Sequence, residues 1–248
     1  MKAEEIKRKL GILKMAASAK NVEEIIQLSS QNNWSFLESL DHLLDIEIEA
    51  KRQSRIERLY KESRLSEKVT IDQFDFNYDK SRKDHQELIK NLMDLFFIHE
   101  KKDLILMGNT GVGKSYLAKC FAYAATQSSI KTLFTTAIDM INHLVAAKAD
   151  HSLVKKLQYY QRPDLLVCDE IGYLPLDNDG ANLFFQVISA RHEKKSTIIT
   201  TNLPFAKWGN IFGNTTIATA IADRLVYRAE VLILGGKSYR KKQTSKNN

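Results

Sequence analysis

One octapeptide constrains the fold of this 248-residue chain more than any other feature. Residues 108–115 read GNTGVGKS; they follow the apolar run Asp103–Met107 and precede the helix-like segment Tyr116–Ala125. A strand, a glycine-rich turn and a helix start in this order are typical of a P-loop. The sequence therefore predicts a phosphate-binding loop that joins a buried strand to a helix.

Each position of this loop has an expected task. Gly108, Gly111 and Gly113 permit backbone dihedrals closed to other residues, so that successive N–H groups can face a phosphate chain at the positive end of the helix. Lys114 adds a mobile charge for the β- and γ-phosphates, and the hydroxyl of Ser115 can coordinate Mg²⁺. The residues expected to contact the nucleotide are Gly108, Asn109, Thr110, Gly111, Val112, Gly113, Lys114, Ser115 and Tyr116.

From residue 83 onward the pattern alternates between helices and short apolar strands. Strands that are almost wholly apolar and separated by helices indicate a parallel sheet covered on both faces. We therefore expect an α/β fold of this kind, with a first helix near 84–100. The predicted strands are 103–107, 131–135, 165–169, 197–201 and 231–234.

The first 64 residues differ from the rest, since they contain no proline and one glycine and carry apolar residues at helical spacing. A third helix is predicted to begin near Trp34, with Ser35 and Glu38 as a capping box. Periodicity is lost between residues 65 and 82, where aromatic and polar residues interleave. We expect a small all-helical N-terminal domain at 1–68, a linker at 69–83 that packs on the next domain, an α/β domain at 84–236 and a basic polar tail at 237–248.

Acidic residues end another buried strand, Leu165–Cys168. Asp169 lies where a parallel sheet presents its ligands, so its carboxylate can hold Mg²⁺ and the adjacent Glu170 can orient and activate a water. Asn202 follows the strand at 197–201, and its amide can contact that water or the γ-phosphate. A charged strand end and a plain turn are the structural alternatives for these residues.

Two arginines are candidates for contact with the γ-phosphate. Arg191, near the end of a predicted helix at 180–194, is expected to be exposed and able to reach the nucleotide of a neighbouring subunit. Arg224 can instead reach a phosphate in its own subunit. A surface salt bridge is the alternative for each.

The formal charge of +7 and the pI near 9.2 favour a polyanionic partner. The apolar runs are too short to cross a bilayer and the N-terminus lacks a signal-peptide pattern, so we expect a cytoplasmic protein with no membrane partner. Its two cysteines predict neither a disulfide nor a metal site. The candidate DNA contacts, which a solvated helix face would also explain, are Lys51, Arg52, Arg55, Arg58 and Lys61.

With these residues in view, the chain resembles the IstB/DnaC-like branch of the AAA+ ATPases, and within it the IstB transposition helpers. The resemblance rests on GNTGVGKSYLA at 108–118, LLVCDEIGYLPLD at 165–177, FFQVISARHEKKSTIITTNLPFAKW at 184–208 and ADRLVYRAEVLILGGKSYR at 222–240. It implies Walker A roles for Lys114 and Ser115 and Walker B roles for Asp169 and Glu170. It also implies that Asn202 is sensor 1, Arg191 the arginine finger and Arg224 sensor 2.

The resemblance further implies a P-loop AAA+ domain with a truncated lid, with ATP and Mg²⁺ as cofactors and ATP hydrolysis as the activity. Such proteins look like oligomers, assembled through the ATP site on duplex DNA, that assist and target a transposase. ATP binding is expected to drive assembly, and hydrolysis to reverse it. DNA contacts would go mainly to phosphates and be largely independent of base sequence.

Three other functions fit parts of the sequence. A replicative helicase loader of the DnaC type would prefer single-stranded DNA and would be encoded among primosomal genes. A metabolic kinase would use Lys114 to transfer phosphate to a small molecule, although Glu170 and Asn202 favour an attack by water. A nucleotide-gated scaffold would turn over ATP negligibly and would tolerate Glu170→Gln.

Overall fold

The computed structural model describes residues 2–172 and 177–240. Twelve α-helices and five strands are found in these ranges, together with 3₁₀ turns at Ile71–Gln73 and Phe205–Lys207. The helices are α1 Lys2–Ile12, α2 Ala16–Asn32, α3 Phe36–Glu62, α4 Lys80–Asp84, α5 Gln86–Leu92, α6 Phe96–His99, α7 Lys114–Gln127, α8 Ala137–Ala149, α9 Leu153–Gln161, α10 Asn178–Arg191, α11 Gly209–Phe212 and α12 Thr215–Val226. The strands are β1 Asp103–Gly108, β2 Thr132–Thr136, β3 Leu165–Ile171, β4 Ser196–Thr201 and β5 Ala229–Leu234.

The five strands form one sheet in the order β2-β3-β4-β1-β5, and every neighbouring pair is parallel. β1 therefore lies between β4 and β5, and β3 lies next to β4. Because the strands are parallel, the ends of β1, β3 and β4 meet at one edge of the sheet. The predicted parallel α/β sheet is confirmed.

Apolar side chains of the strands alternate between the two faces of the sheet, as the pleat of a strand requires. Leu104 and Leu106 belong to one buried cluster, which includes residues of α7, whereas Ile105 belongs to a second cluster with residues of α8, α10 and α12. Burial on both faces explains why the strands read as continuous apolar runs. Residues 173–176 and 241–248, which include part of the motif at 165–177 and most of the predicted basic tail, lie outside the described residues.

The chain divides into two compact units, Met1–Arg58 and Leu59–Asn248, so the division falls within α3. In the first unit, Val22, Ile25 and Leu43 form a small buried cluster. The predicted capping box is present: the Ser35 N–H donates to Oε2 of Glu38 at 2.6 Å, and the Glu38 N–H donates to Oγ of Ser35 at 3.3 Å.

The segment predicted as a linker is part of the second unit, since Phe74 and Phe76 are buried in the cluster that contains β1 and α7. The prediction of a single helix near 84–100 is wrong. Three short helices, α4 to α6, occupy residues 80–99, and Leu95, which lies between α5 and α6, has a left-handed φ of 61° that a continuous helix does not accommodate. Its side chain is buried, so core packing decides the chain path here.

Candidate functional site

The loop between β1 and α7 has the glycine conformations expected of a phosphate-binding turn. Gly111 and Gly113 have φ values of 83° and 107°, a region that disfavours residues with a Cβ atom. Gly108 lies against β5, where a Cβ atom would collide with the carbonyl oxygen of Leu234. Both conformation and space therefore require glycine in this loop.

Lys114 is the first residue of α7, and its side chain folds back over the loop. Its Nζ donates to the carbonyl oxygens of Gly108 and Asn109, each at 2.8 Å. The side chain is largely buried, and this burial lowers the pKa of its ammonium group, although nearby Asp169 opposes the shift. A phosphate entering the loop would offer the ammonium group stronger partners than these two carbonyls.

Oxygen atoms from three elements meet at the edge of the sheet beside the loop. Oγ of Ser115 donates to Oδ1 of Asp169 at 2.9 Å, and Oγ1 of Thr200 donates to the same carboxylate oxygen. The N–H of Glu170 donates to Oγ1 of Thr200 at 2.9 Å. The hydroxyl of Ser115 and the carboxylate of Asp169 are the kind of oxygen ligands that hard divalent cations prefer.

Asn202 directly follows β4 and faces the same region. Its Oδ1 is buried and accepts no hydrogen bond from the described residues. Gly172 lies close to this oxygen, since a Cβ atom on Gly172, whose φ is 113°, would lie 2.8 Å from it. A buried acceptor without a donor is unfavourable, so a ligand or water that donates to Asn202 would stabilise the site.

One cavity of about 380 Å³ is lined by Lys114, Ser115, Glu170, Thr200 and Asn202. Part of the lining comes from the loop and α7, part from the ends of β3 and β4, and part from the segments at 73–82 and 239–240. Lining residues include Phe74, Arg82, Thr110, Gly111, Gly113, Lys114, Ser115, Tyr116, Glu170, Thr200, Asn202, Tyr239 and Arg240. The structure thus brings most of the predicted loop residues together with Glu170 and Asn202, and it adds residues that the motifs did not indicate.

Arg82 is one of the residues that the sequence did not single out. Its side chain is 2 % exposed, and its Nε and one terminal nitrogen both donate to the carbonyl oxygen of Val112, at 3.2 and 2.9 Å. The rings of Phe74, Tyr78 and Tyr239 lie within 5.0 Å of its guanidinium carbon. The sequence signal for this residue was a single arginine among the aromatic residues of the predicted linker. In the structure this arginine supports the loop.

The segment after β5 also contacts the loop. The N–H of Tyr239 donates to the carbonyl oxygen of Gly111 at 2.9 Å, and the hydroxyl of Tyr78 donates to that of Ser238 at 3.0 Å. Arg240, which follows, is exposed and lines the cavity. Positive charge therefore reaches the cavity from both Lys114 and the end of the described chain.

The expectation that Arg191 is an exposed finger is wrong. The side chain is 1 % exposed, and its guanidinium donates to the carbonyl oxygens of Tyr160, Gln161, Pro163 and Ser196 and to the hydroxyl of Thr197. A buried guanidinium whose nitrogens all donate to carbonyl and hydroxyl groups of its own chain cannot extend to another subunit. The sequence placed Arg191 correctly at the end of a helix, but that helix end is buried.

The other basic candidates lie outside the cavity. Arg224 donates to the carbonyl oxygen of Ala220 at 3.0 Å, and its guanidinium carbon lies 4.7 Å from the centre of the Phe185 ring. It is absent from the cavity lining, so a sensor role would require a rearrangement of α12. On α3 the five candidate DNA contacts, Lys51, Arg52, Arg55, Arg58 and Lys61, are all exposed.

Among the described residues, no group of three or more His, Cys, Asp and Glu is arranged to hold a metal ion. A cation at Ser115 and Asp169 would therefore need further ligands from a bound phosphate chain, which is the usual mode for Mg²⁺. No helix in the described part of the chain has both the length and the apolarity to cross a membrane.

A parallel sheet with a glycine-rich loop between β1 and α7 and an Asp–Glu pair in β3 defines a P-loop protein of the AAA+ class. Comparison with known proteins gives the family. A model described as IstB-like ATP binding protein matches residues 8–247. The chain belongs to this family.

Relatives named as ATP-binding proteins of insertion sequences are similar over nearly their whole length. The chain is 36 % identical to that of IS232 from Bacillus thuringiensis subsp. berliner, over 96 % of this chain and 95 % of the relative. It is 37 % identical to that of IS5376 from Geobacillus stearothermophilus, over 92 % of this chain and 90 % of the relative.

Solved structures with the same fold come from replication proteins. The DnaC helicase loader matches with a TM-score of 0.58 and 24 % identity, over 66 % of this chain and 96 % of that chain. DnaA from Aquifex aeolicus with bound AMPPCP matches with a TM-score of 0.58 and 16 % identity, over 74 % of this chain and 56 % of that chain. At these identities the matches establish the fold and favour none of the functions.

Proposed function

We propose that this chain binds ATP in the cavity beside the P-loop and hydrolyses it. The observation that carries the proposal is the meeting of Ser115, Asp169 and Glu170 at the edge of the sheet that faces Lys114. A phosphate-binding loop alone would suffice for binding, whereas an acidic residue that lines the same cavity offers a base for an attacking water. The AAA+ fold and the family both support an ATPase.

Each residue then has a role that follows from its position. The backbone N–H groups of the loop and Lys114 hold the phosphates, while Ser115 and Asp169 hold Mg²⁺. When bound, this ion offsets the negative charge of the β- and γ-phosphates. Glu170 orients a water and accepts its proton, and the side-chain amide of Asn202 hydrogen-bonds the water or the γ-phosphate.

The test compares Glu170→Gln with Lys114→Ala in purified full-length protein. Because Gln keeps the size of Glu but accepts no proton, Glu170→Gln should retain ATP binding and lose about 10²-fold or more in turnover. Lys114→Ala should lose most ATP binding, since it removes the mobile charge on the phosphates. Turnover is measured by phosphate release, and binding by titration with a fluorescent ATP analogue.

Two exposed residues provide matched controls: Glu87→Gln on α5 and Lys155→Ala on α9. Both should behave as the wild type. Full turnover in Glu170→Gln would contradict the role of Glu170. Negligible turnover in the wild type, together with tight ATP binding, would favour the nucleotide-gated scaffold instead.

The wider role proposed is assistance to the transposase of an insertion sequence. Its support is the family together with the relatives named for IS232 and IS5376, which match over nearly their full length. In this proposal ATP binding assembles copies of the chain on duplex DNA, hydrolysis releases them, and the assembly targets the transposase. If a neighbouring copy completes the ATP site, it does so through an arginine other than the buried Arg191.

A further inference from the structure

An irregularity in the sheet lies directly at the candidate catalytic residues. β3 and β4 pair in register up to Cys168 and Ile199, and pairing resumes at Ile171 and Thr201. Between these pairs β3 has two residues, Asp169 and Glu170, whereas β4 has one, Thr200. This is the arrangement of a β-bulge, which in general redirects side chains and often lies beside active sites.

Thr200 occupies the centre of this bulge and is 1 % exposed. Its single hydroxyl makes two hydrogen bonds: Oγ1 donates to Oδ1 of Asp169 and accepts the N–H of Glu170 at 2.9 Å. One buried oxygen thus links the proposed Mg²⁺ ligand to the backbone of the proposed general base.

Glu170 has an unusual backbone that needs such support. Its φ is 63°, in the left-handed region that non-glycine residues seldom adopt, and its side chain is exposed to the cavity. Without an acceptor at Thr200, its N–H would lose its partner and the residue could relax toward an extended conformation. That relaxation would turn the carboxylate away, because neighbouring residues of a regular strand point to opposite faces.

We propose that Thr200 is a positioning residue for hydrolysis, because its hydroxyl fixes the carboxylate of Asp169 and holds Glu170 in the bulge that aims it at the cavity. The inference rests on the proposed ATPase activity and adds a residue to that site. Thr200 acts through its two neighbours and does not need to contact the nucleotide. Sequence motifs did not reveal it, because it precedes Asn202 as one of several threonines in β4.

The experiment compares Thr200→Val, Thr200→Ser and Thr132→Val in the full-length chain. Valine keeps the shape of threonine and lacks the hydroxyl, so kcat should fall about 10- to 100-fold while KM for ATP changes less than about threefold. Serine keeps the hydroxyl and should stay within about threefold of the wild type. Thr132 is 2 % exposed in β2 and hydrogen-bonds through Oγ1 to the carbonyl oxygen of Ile130, so Thr132→Val controls for the loss of a buried hydroxyl.

A binding measurement gives a readout that does not depend on turnover. Nucleotide affinity is titrated for each variant in EDTA and in Mg²⁺. In EDTA, Thr200→Val should bind as the wild type, whereas the gain in affinity on adding Mg²⁺ should shrink about 3- to 10-fold because Asp169 is less well oriented. Melting temperatures show whether the variants are folded.

Wild-type kcat in Thr200→Val, with an unchanged Mg²⁺ effect, would overturn the inference. So would an equal loss in Thr200→Ser, which would assign the effect to packing of the methyl group. If the wild type and Glu170→Gln both fail to hydrolyse ATP, the proposed function fails, and the Mg²⁺ titration still decides whether Thr200 orients Asp169.

Discussion

At the scale of single residues, the buried Arg191 and the half-buried Asp103 show how position changes the role of a charged group. Arg191 supports the loops at the start of β3 and β4 through its hydrogen bonds to carbonyl oxygens. Asp103 begins β1, and its Oδ1 accepts the N–H of Thr197 at 2.6 Å. Burial raises the pKa of Asp103 from its ordinary 3.8 to about 7, against the opposing effects of the hydrogen bond from Thr197 and the charge of Arg191.

This raised pKa predicts a pH-dependent stability. The folded chain binds the Asp103 proton more tightly than the unfolded chain, so its contribution to stability is fully present below about pH 4 and is lost as pH rises to about 7. Relative to Asp103→Asn, the wild type should therefore lose roughly 1–3 kcal/mol of unfolding free energy as pH rises from about 4 through about 7, and the difference should level off above about pH 8. Urea unfolding at several pH values measures the difference.

The exposed Asp94→Asn serves as the control for removal of a charge. Its unfolding free energy should change with pH in parallel with that of the wild type. If the unfolding free energies of Asp103→Asn and the wild type changed in parallel between pH 4 and pH 8, this would contradict the raised pKa of Asp103.

At the scale of elements, α3 combines two roles along its length. Its first part packs through Leu43 with α2, whereas its second part presents exposed basic residues. Lys51, Arg55 and Arg58 recur at a spacing of four and three residues and so lie on one side of the helix. Lys51 contacts the buried Glu47 at 3.4 Å, and Arg52 contacts the exposed Glu49 at 3.5 Å. The exposed pair of Arg52 and Glu49 contributes little stability, so Arg52 can turn to a phosphate.

If α3 contacts DNA, neutralising Arg52, Arg55 and Arg58 together to alanine should weaken duplex binding in a salt-dependent way. Each lost phosphate contact should reduce the slope of log K against log salt by about 1, because fewer counterions are released on binding. Fluorescence anisotropy at several salt concentrations, with duplexes of unrelated sequence, measures both affinity and slope.

A matched variant removes three exposed lysines of the second unit, Lys131, Lys155 and Lys194. It should keep the wild-type slope. A slope that changes in this variant and not in the arginine variant would move the DNA contacts from α3 to the second unit.

At the scale of the whole molecule, the proposed function couples the ATP site to assembly on DNA. The cavity receives residues from β3, β4, α7 and the chain on either side of the α/β core, including Arg82 and Tyr239. A nucleotide that binds one such site and also contacts a second copy would make assembly depend on the γ-phosphate.

We therefore expect ATP and duplex DNA together to produce a larger species that neither produces alone. Glu170→Gln should form it and fail to release it, whereas Lys114→Ala should not form it, because its site holds no triphosphate. Light scattering and electron microscopy measure assembly, and a strand-transfer assay with a transposase of an insertion sequence measures its consequence.

The assembly experiment also separates the alternatives. Assembly on single-stranded DNA in preference to duplex would favour a helicase loader. A chain that remains monomeric with ATP and duplex DNA would contradict the proposed coupling, and activity of the transposase unaffected by this chain would contradict the proposed partner.

The sequence by itself determined the features whose chemistry is local. The glycines at 108–113 and the residues after them are contiguous, so one strand, one turn and one helix follow from nearby residues alone. The apolar strands of the parallel sheet could be predicted for the same reason, since burial on both faces leaves a continuous apolar run. The placement of Glu170 and Asn202 beside the loop could be predicted because parallel strands end at one edge of the sheet.

Tertiary structure decided the roles that depend on neighbours far apart in sequence. Arg191 ends a helix as predicted, yet packing of α10 against β4 and the chain before β3 buries it. Arg82 meets Val112 across 30 residues, and Thr200 meets Asp169 across 31. Such contacts follow from the strand order and from one bulge in the sheet, and neither periodicity nor motif spacing encodes them, because both describe only residues that are close along the chain.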